Sequence, residues 1–185
     1  MLICSMSVSI DGFIADRDGD FGWTEPHEER FRHSLREVQG LGAYLLGRRL
    51  YEAMRVWETE PAMRDSPDKD AFADAWITLP KVVFSRSLDR VEGNARLATG
   101  SLADEIEAAL ALAGPHRDVS IGGADIAGQA LELGLLGELR LFRCPVVVGG
   151  GTPLMPPVAT TIPFELVETR MYTDQRLFER YVRKG

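Results

Sequence analysis

From Leu2 to Ile10 the apolar residues Leu2, Cys4, Met6, Val8 and Ile10 alternate with Ser5, Ser7 and Ser9. That period of two predicts a strand with one apolar face, which the pair Asp11-Gly12 ends in a turn. Beyond a polar loop, Phe31, Leu35 and Val38 take up helical spacing. Thr24 is read as the N-cap, Pro26 falls early in the helix, and Gly40 and Gly42 stop it. A short apolar strand, Tyr44 to Leu46, then meets Gly47 and a second helix carrying Leu50, Met54 and Trp57. Residues Glu58 to Lys69, with Pro61 and Pro67, read as a loop before a helix over Asp70 to Thr78 and a strand over Lys81 to Ser85. Ser101 and Asp104 form a capping-box start to a helix that turns Leu102, Ile106, Ala109, Leu110 and Ala113 inward.

The stretch from Asp118 to Gly151 organises the remainder. It predicts a buried strand (Val119 to Ile121), a glycine turn (Gly122, Gly123), a helix (Ala124 to Leu133), a strand (Leu139 to Val148) and a second glycine cluster. After the loop from Pro153 to Pro163, alternating segments at Phe164 to Tyr172 and Arg176 to Val182 flank the polar turn Thr173-Asp174-Gln175 and predict a hairpin. Strands alternating with helices predict a three-layer α/β fold. It has a mostly parallel central sheet, helices on both faces and an antiparallel C-terminal hairpin, in one domain over 1–185. Ligands of such sheets bind at the carboxyl ends of the strands, where Asp11, Gly47, Ser85, Gly122 and Gly149 fall.

A strand that stops at glycines and turns directly into a helix aims free N–H groups and the positive helix end at one spot, which suits phosphate. Gly122-Gly123-Ala124-Asp125-Ile126-Ala127-Gly128 lacks the Rossmann spacing of glycines, and Gly128-Gln129-Ala130 excludes a P-loop. The two glycines equally suit tight strand-to-helix packing alone. Arg48 and Arg49 stand in a first helical turn, where the dipole disfavours cations unless an anion lies between them. A net charge of −7 gives no general attraction for nucleic acid or anionic membrane, so such local arginines carry the information. Two cysteines and three dispersed histidines supply neither a disulfide framework nor metal-ligand spacing, and no metal is expected. No apolar run has membrane-spanning length and the N-terminus lacks a signal-peptide pattern, so a cytoplasmic location is the expectation.

Five segments in order resemble the dihydrofolate reductase superfamily, in particular the branch containing the reductase domain of the bifunctional riboflavin-biosynthesis enzyme. They are Ser9-Ile10-Asp11-Gly12-Phe13-Ile14-Ala15, Leu46-Gly47-Arg48-Arg49-Leu50-Tyr51-Glu52, Val82-Val83-Phe84-Ser85-Arg86, Ile121-Gly122-Gly123-Ala124 and Pro145-Val146-Val147-Val148-Gly149-Gly150-Gly151. The resemblance implies NADPH binding and hydride transfer to a pyrimidine or pteridine, as in 5-amino-6-(5-phosphoribosylamino)uracil reductase. It carries Gly47, Arg48 and Arg49 to the adenosine 2′-phosphate, Ser85 and Arg86 to the adenosine, and Gly122, Gly123, Ala124, Asp125 and Ile126 to the diphosphate. Trp23-Thr24-Glu25-Pro26-His27-Glu28 resembles the folate-reductase stretch whose carboxylate grips the pteridine, which carries that role to Glu28. Asp11 and Glu28 are the catalytic candidates, and they join Gly150 and Thr152 as substrate candidates. Each also has a structural reading, Asp11 as a turn former and Glu28 as a helix-dipole partner. The zinc-deaminase motifs of the bifunctional enzyme are absent from this sequence. A dihydrofolate reductase proper and a non-catalytic NADP-binding protein stand as alternatives. A homodimer is expected from the long apolar run Leu139 to Val148 and from the habit of the riboflavin branch.

Overall fold

A computed structural model describes residues 1–185. Its main sheet has eight strands: β1 (Leu2–Val8), β3 (Leu41–Gly47), β4 (Lys81–Phe84), β5 (Ala95–Leu97), β6 (Asp118–Gly122), β7 (Glu138–Arg143), β9 (Phe164–Met171) and β10 (Leu177–Arg183). Their order is β5-β4-β3-β6-β1-β7-β10-β9. Neighbours from β5 to β7 are parallel, β10 runs antiparallel to β7, and β9 antiparallel to β10. A small second sheet pairs β2 (Phe13–Ala15) with β8 (Thr152–Pro153). The α/β class, the parallel centre and the closing hairpin are those read from the sequence.

Six helices cover the main sheet. On one face α1 (Glu28–Gly40), α2 (Arg48–Met54) and α4 (Pro67–Thr78) bury Leu35, Val38, Tyr51, Phe72 and Trp76 against Ile3, Leu46 and Val83, and the short α3 (Val56–Thr59) joins α2 to α4. On the other, α5 (Leu102–Ala113) and α6 (Ala124–Glu132) bury Ile106, Ala109, Ile126 and Leu131 against Leu2, Cys4, Leu45 and Ile121. Burying an aliphatic or aromatic side chain yields about 1.5–3 kcal/mol, so these two seams fix the sheet between its helix layers. The capping box at Ser101 and Asp104 forms as the sequence predicts.

Several element bounds differ from expectation. β1 ends at Val8 because the Ser9 N–H donates to the Phe13 carbonyl, 2.9 Å away, and starts the turn. β7 ends at Arg143 rather than Val148: Pro145 has no N–H for a ladder, and the Val148 and Gly149 N–H groups turn to the Asp11 carboxylate. Thr24 is not a helix cap; it closes a 3-10 turn (Gly22–Thr24), and α1 starts after Pro26 with His27 as its cap. Ser66 caps α4, which starts earlier than expected, with Pro67 in its first turn, where its missing N–H costs nothing. β2, β8, β5 and α3 are too short to leave a periodic signal.

Candidate active site

The carboxyl ends of β1, β3, β4, β6 and β7 share one edge of the sheet. β3 and β6 are neighbours, with Leu46 opposite Gly122, so the turns that follow them lie side by side. From there α2 leaves to one face and α6 to the other. This divergence is the topological switch point at which open α/β sheets hold ligands. The turns touch: Gly123 has φ 105°, and a Cβ on it would stand 3.3 Å from the Gly47 Cα and 3.4 Å from the Gly47 nitrogen. Only glycine combines that backbone conformation with so close an approach.

Neither helix start is capped by its flanking side chain: Gly47 precedes α2 and Gly123 precedes α6. Unsatisfied N–H groups therefore converge on the crevice from both sides. Arg48 and Arg49 are exposed at the start of α2, with Arg48 3.9 Å from Glu52. Asp125, in the first turn of α6, accepts a hydrogen bond from Gln129 at 3.2 Å. Ser85 Oγ accepts the N–H groups of Ser87 (3.1 Å) and Leu88 (3.0 Å), so it shapes the turn after β4 and keeps its own hydrogen to donate. Exposed Arg86 lies in this turn. A cleft of about 470 Å³ lies beyond the end of β4, where Arg55 and Arg90 stand among Glu52, Asp89 and Glu92. A second cleft, about 200 Å³, lies between α1 and the starts of β3 and β6, on the opposite edge, and is lined by the ion pairs of Arg140 with Glu37 and Asp118.

At the β1 end, Asp11 accepts hydrogen bonds from Ser9 Oγ (2.7 Å) and from the N–H groups of Val148 (3.2 Å) and Gly149 (2.8 Å). The Ser9 hydroxyl first, then the Gly149 and Val148 N–H groups, hold the Asp11 carboxyl below the usual carboxylate range. Arg17 donates to the Gly149 carbonyl at 2.5 Å. Gly149, Gly150 and Gly151 have φ of 72°, 142° and 130°, a run that only glycine sustains, and Thr152 pairs with Ala15. Asp11, Gly150 and Thr152 are thus brought together, with Asp11 as the anchor of the glycine cluster.

Glu28 does not join them. It is the first residue of α1, its side chain is 87% exposed, and it pairs with Arg32 at 3.3 Å. The first turn of α1 instead buries Arg30, two residues on. Arg30 Nη2 donates to the Thr24 carbonyl at 2.7 Å, and its guanidinium lies 4.9 Å from the centre of the Phe142 ring. Burial, then the nearby Arg176, lowers its pKa from the ordinary arginine value. Arg176, at the hairpin turn, donates to the Trp23 and Glu25 carbonyls (2.8 Å each), to Asp174 at 2.6 Å and to Cys144 Sγ at 3.3 Å. Two buried arginines therefore pin the segment that leads into α1, and neither was singled out in the sequence. The row Arg30, Ser34, Val38 at i, i+4 carried a signal for the first; nothing local signals the second. Trp23 Nε1 and Arg30 Nε are buried without a hydrogen-bond partner in the protein.

This sheet, its switch-point crevice and its glycine-terminated strands define a dihydrofolate-reductase-like α/β domain. Dihydrofolate reductase from Enterococcus faecalis in complex with NADP(H) aligns over 100% of this chain and 97% of its own, with a TM-score of 0.63 at 16% identity. The model of the RibD C-terminal domain matches residues 1–178, and the chain belongs to that family, the reductase portion of a riboflavin-biosynthesis enzyme. Among curated proteins it is 27% identical over 177 residues to the uncharacterized protein YyaP of Bacillus subtilis (strain 168), covering 93% of this chain and 89% of YyaP. A pyrimidine reductase-like protein from Corynebacterium diphtheriae has a TM-score of 0.70 at 15% identity, over 100% of this chain and 92% of its own.

Proposed function

We propose that this domain binds NADPH and transfers hydride to a heterocycle of the pyrimidine or pteridine type. The observation that carries the reading is the contact between the Gly47 and Gly123 turns, where two uncapped helix starts and Arg48 and Arg49 meet. The residues fit the cofactor: the α6 start would offer N–H groups to a diphosphate, Arg48 and Arg49 would offer guanidinium groups to a 2′-phosphate, and Ser85 and Arg86 would hold the adenosine. When bound, the nicotinamide supplies the hydride, and the chain's own residues position and exclude.

Asp11 is an orienting acceptor in this reading rather than a proton donor, because a carboxylate holding three hydrogen bonds and a lowered pKa stays ionised at neutral pH. Its clamp on Val148 and Gly149 sets the wall of the substrate end, with Gly150 and Thr152 beside it. The folate-specific alternative loses its main support with Glu28 turned to solvent. A pyrimidine is the better fit to the family. The test is NADPH oxidation in the presence of aminouracils and pterins.

A further inference from the structure

The two ends of the crevice have opposite electrostatic character. At the β3 and β4 ends Arg48, Arg49 and Arg86 are exposed, and the starts of α2 and α6 carry no side-chain cap. The β1 and β7 ends have neither feature. The loop Asp16-Arg17-Asp18-Gly19-Asp20 brings three acids and one base there, and Asp11 adds a further carboxylate. The loop is fixed at this end: Arg17 donates to the Gly149 carbonyl, and a side chain on Gly151 would collide with the Asp16 backbone.

The arginines at this end are already engaged. Arg176 is buried and paired with Asp174 at 2.6 Å, Arg143 holds Glu179 through Nε (3.0 Å) and Nη2 (2.8 Å), and Arg170 pairs with Glu29 at 2.6 Å. Arg17 alone is exposed without a carboxylate partner, and in the chain it stands between Asp16 and Asp18. The nearest helix start gives no phosphate site either, because Glu28 and Glu29 occupy the first turn of α1, where the dipole would favour an anion.

The rest of this border is apolar. Ile10 is 55% exposed, Phe21 50% and Val147 65%. Ile10 and Val147 lie side by side: the Ile10 N–H donates to the Val146 carbonyl at 2.8 Å, and the next residue of each pair, Asp11 and Val148, is joined by the Asp11 clamp. Phe21 is held between the acidic loop and Trp23, whose carbonyl accepts from Arg176. Whatever a substrate carries beyond its ring meets these segments. A phosphate there would face like charge with no free cation or helix end, whereas an apolar group would remove Ile10, Phe21 and Val147 from water.

We infer that the substrate end takes a heterocycle without a phosphate or carboxylate tail, an aminouracil or pterin whose substituent is uncharged and apolar. This rests on the hydride-transfer reading for the place of the substrate, and it departs from the phosphoribosylated uracil that the resemblance to the riboflavin branch implies.

The test is calorimetric titration of the wild-type protein, with NADP+ present, using two matched pairs and one apolar analogue. The pairs are ribosylated and phosphoribosylated aminouracil, and 6-hydroxymethyl-7,8-dihydropterin with and without phosphate on its hydroxymethyl group; the analogue is 6-propyl-7,8-dihydropterin. The phosphate-free member of each binding pair should bind about tenfold or more tightly at low salt, and the gap should narrow as salt screens the acidic loop. The propyl pterin should bind more tightly than the hydroxymethyl pterin, and Phe21→Ser should remove that advantage. Asp18 joins the loop through its backbone N–H, so Asp18→Lys reverses a charge while leaving that bond in place, and it should narrow the phosphate gap about threefold or more. Equal or tighter binding of a phosphorylated member overturns the inference, and so does a lack of binding by all five ligands. Turnover with NADPH is followed separately: a phosphate-free ligand that binds preferentially but is not reduced supports this inference and counts against hydride transfer, so the two failures stay distinct.

Discussion

Replacing Gly123 by alanine tests the crevice at its narrowest point. Gly123 holds φ 105° and ψ 119°, a region that L-residues occupy at a cost of about 1–3 kcal/mol. The new methyl would also meet the Gly47 Cα at 3.3 Å and the Gly47 nitrogen at 3.4 Å. Those neighbours are backbone and have no rotamer to change; Gly47 is itself tied into the sheet opposite Phe84. Relief comes only by parting the two turns. For a domain of this size each kcal/mol lowers Tm by about 2–4 °C, so Gly123→Ala should melt about 2–12 °C below wild type by calorimetry. If the parted turns are the cofactor cradle, NADPH affinity should also fall about tenfold or more, equal to about 1.4 kcal/mol, in a fluorescence titration at a temperature where both proteins are folded. A variant with unchanged Tm would refute the strain argument, and a destabilised variant with unchanged NADPH affinity would refute the placement of the cofactor.

Two further outcomes follow from charged groups. NADPH should bind more tightly than NADH, because each charge-assisted contact of Arg48 and Arg49 with a 2′-phosphate contributes about 1.5–3 kcal/mol, and Arg48→Ala/Arg49→Ala should erase most of that preference in paired titrations. Glu105 carries a pH signature. Hydrogen bonding from Arg96, against the opposing effect of burial and with help from the Thr99 and Gly100 N–H groups, lowers its pKa from an ordinary 4.5 to about 2. A carboxyl whose folded pKa is depressed stabilises fully above the unfolded value and loses that contribution as pH falls through the folded one. Denaturation midpoints should therefore decline from about pH 4.5 toward about 2, and Glu105→Gln should flatten that part of the profile.

Much of the fold was legible because its strands end at glycines. Gly47 and Gly122 mark strand-to-turn transitions that periodicity alone would blur, and the alternation in Leu2 to Val8 has one dominant period. The β7 boundary was not legible because Cys144 to Val148 stays apolar after Pro145 breaks the ladder; hydropathy continues where hydrogen bonding cannot. The exposure of Glu28 was not legible for a different reason. Its motif fixes a position in the chain, but a start three residues later than a Thr24 cap implies rotates the helix, and each residue adds about 100°. Arg176 was out of reach, since its partners Trp23, Glu25 and Cys144 come from segments distant in the chain that only the tertiary fold brings together. Arg48 and Arg49 became candidates because a cation in a first helical turn is electrostatically misplaced without an anion, a local argument that needs no fold.

The central claim is hydride transfer, and turnover tests it most directly. The wild-type protein is incubated with NADPH and, separately, with aminouracils, pterins and a quinone as an unrelated acceptor, while NADPH absorbance and product mass are followed together. The account predicts NADPH oxidation coupled one-to-one to reduction of an aminouracil or pterin, and slower with NADH. Saturable NADPH binding without reduction of any heterocycle would contradict it and would leave a nucleotide-binding domain that has kept the cofactor cradle without the chemistry.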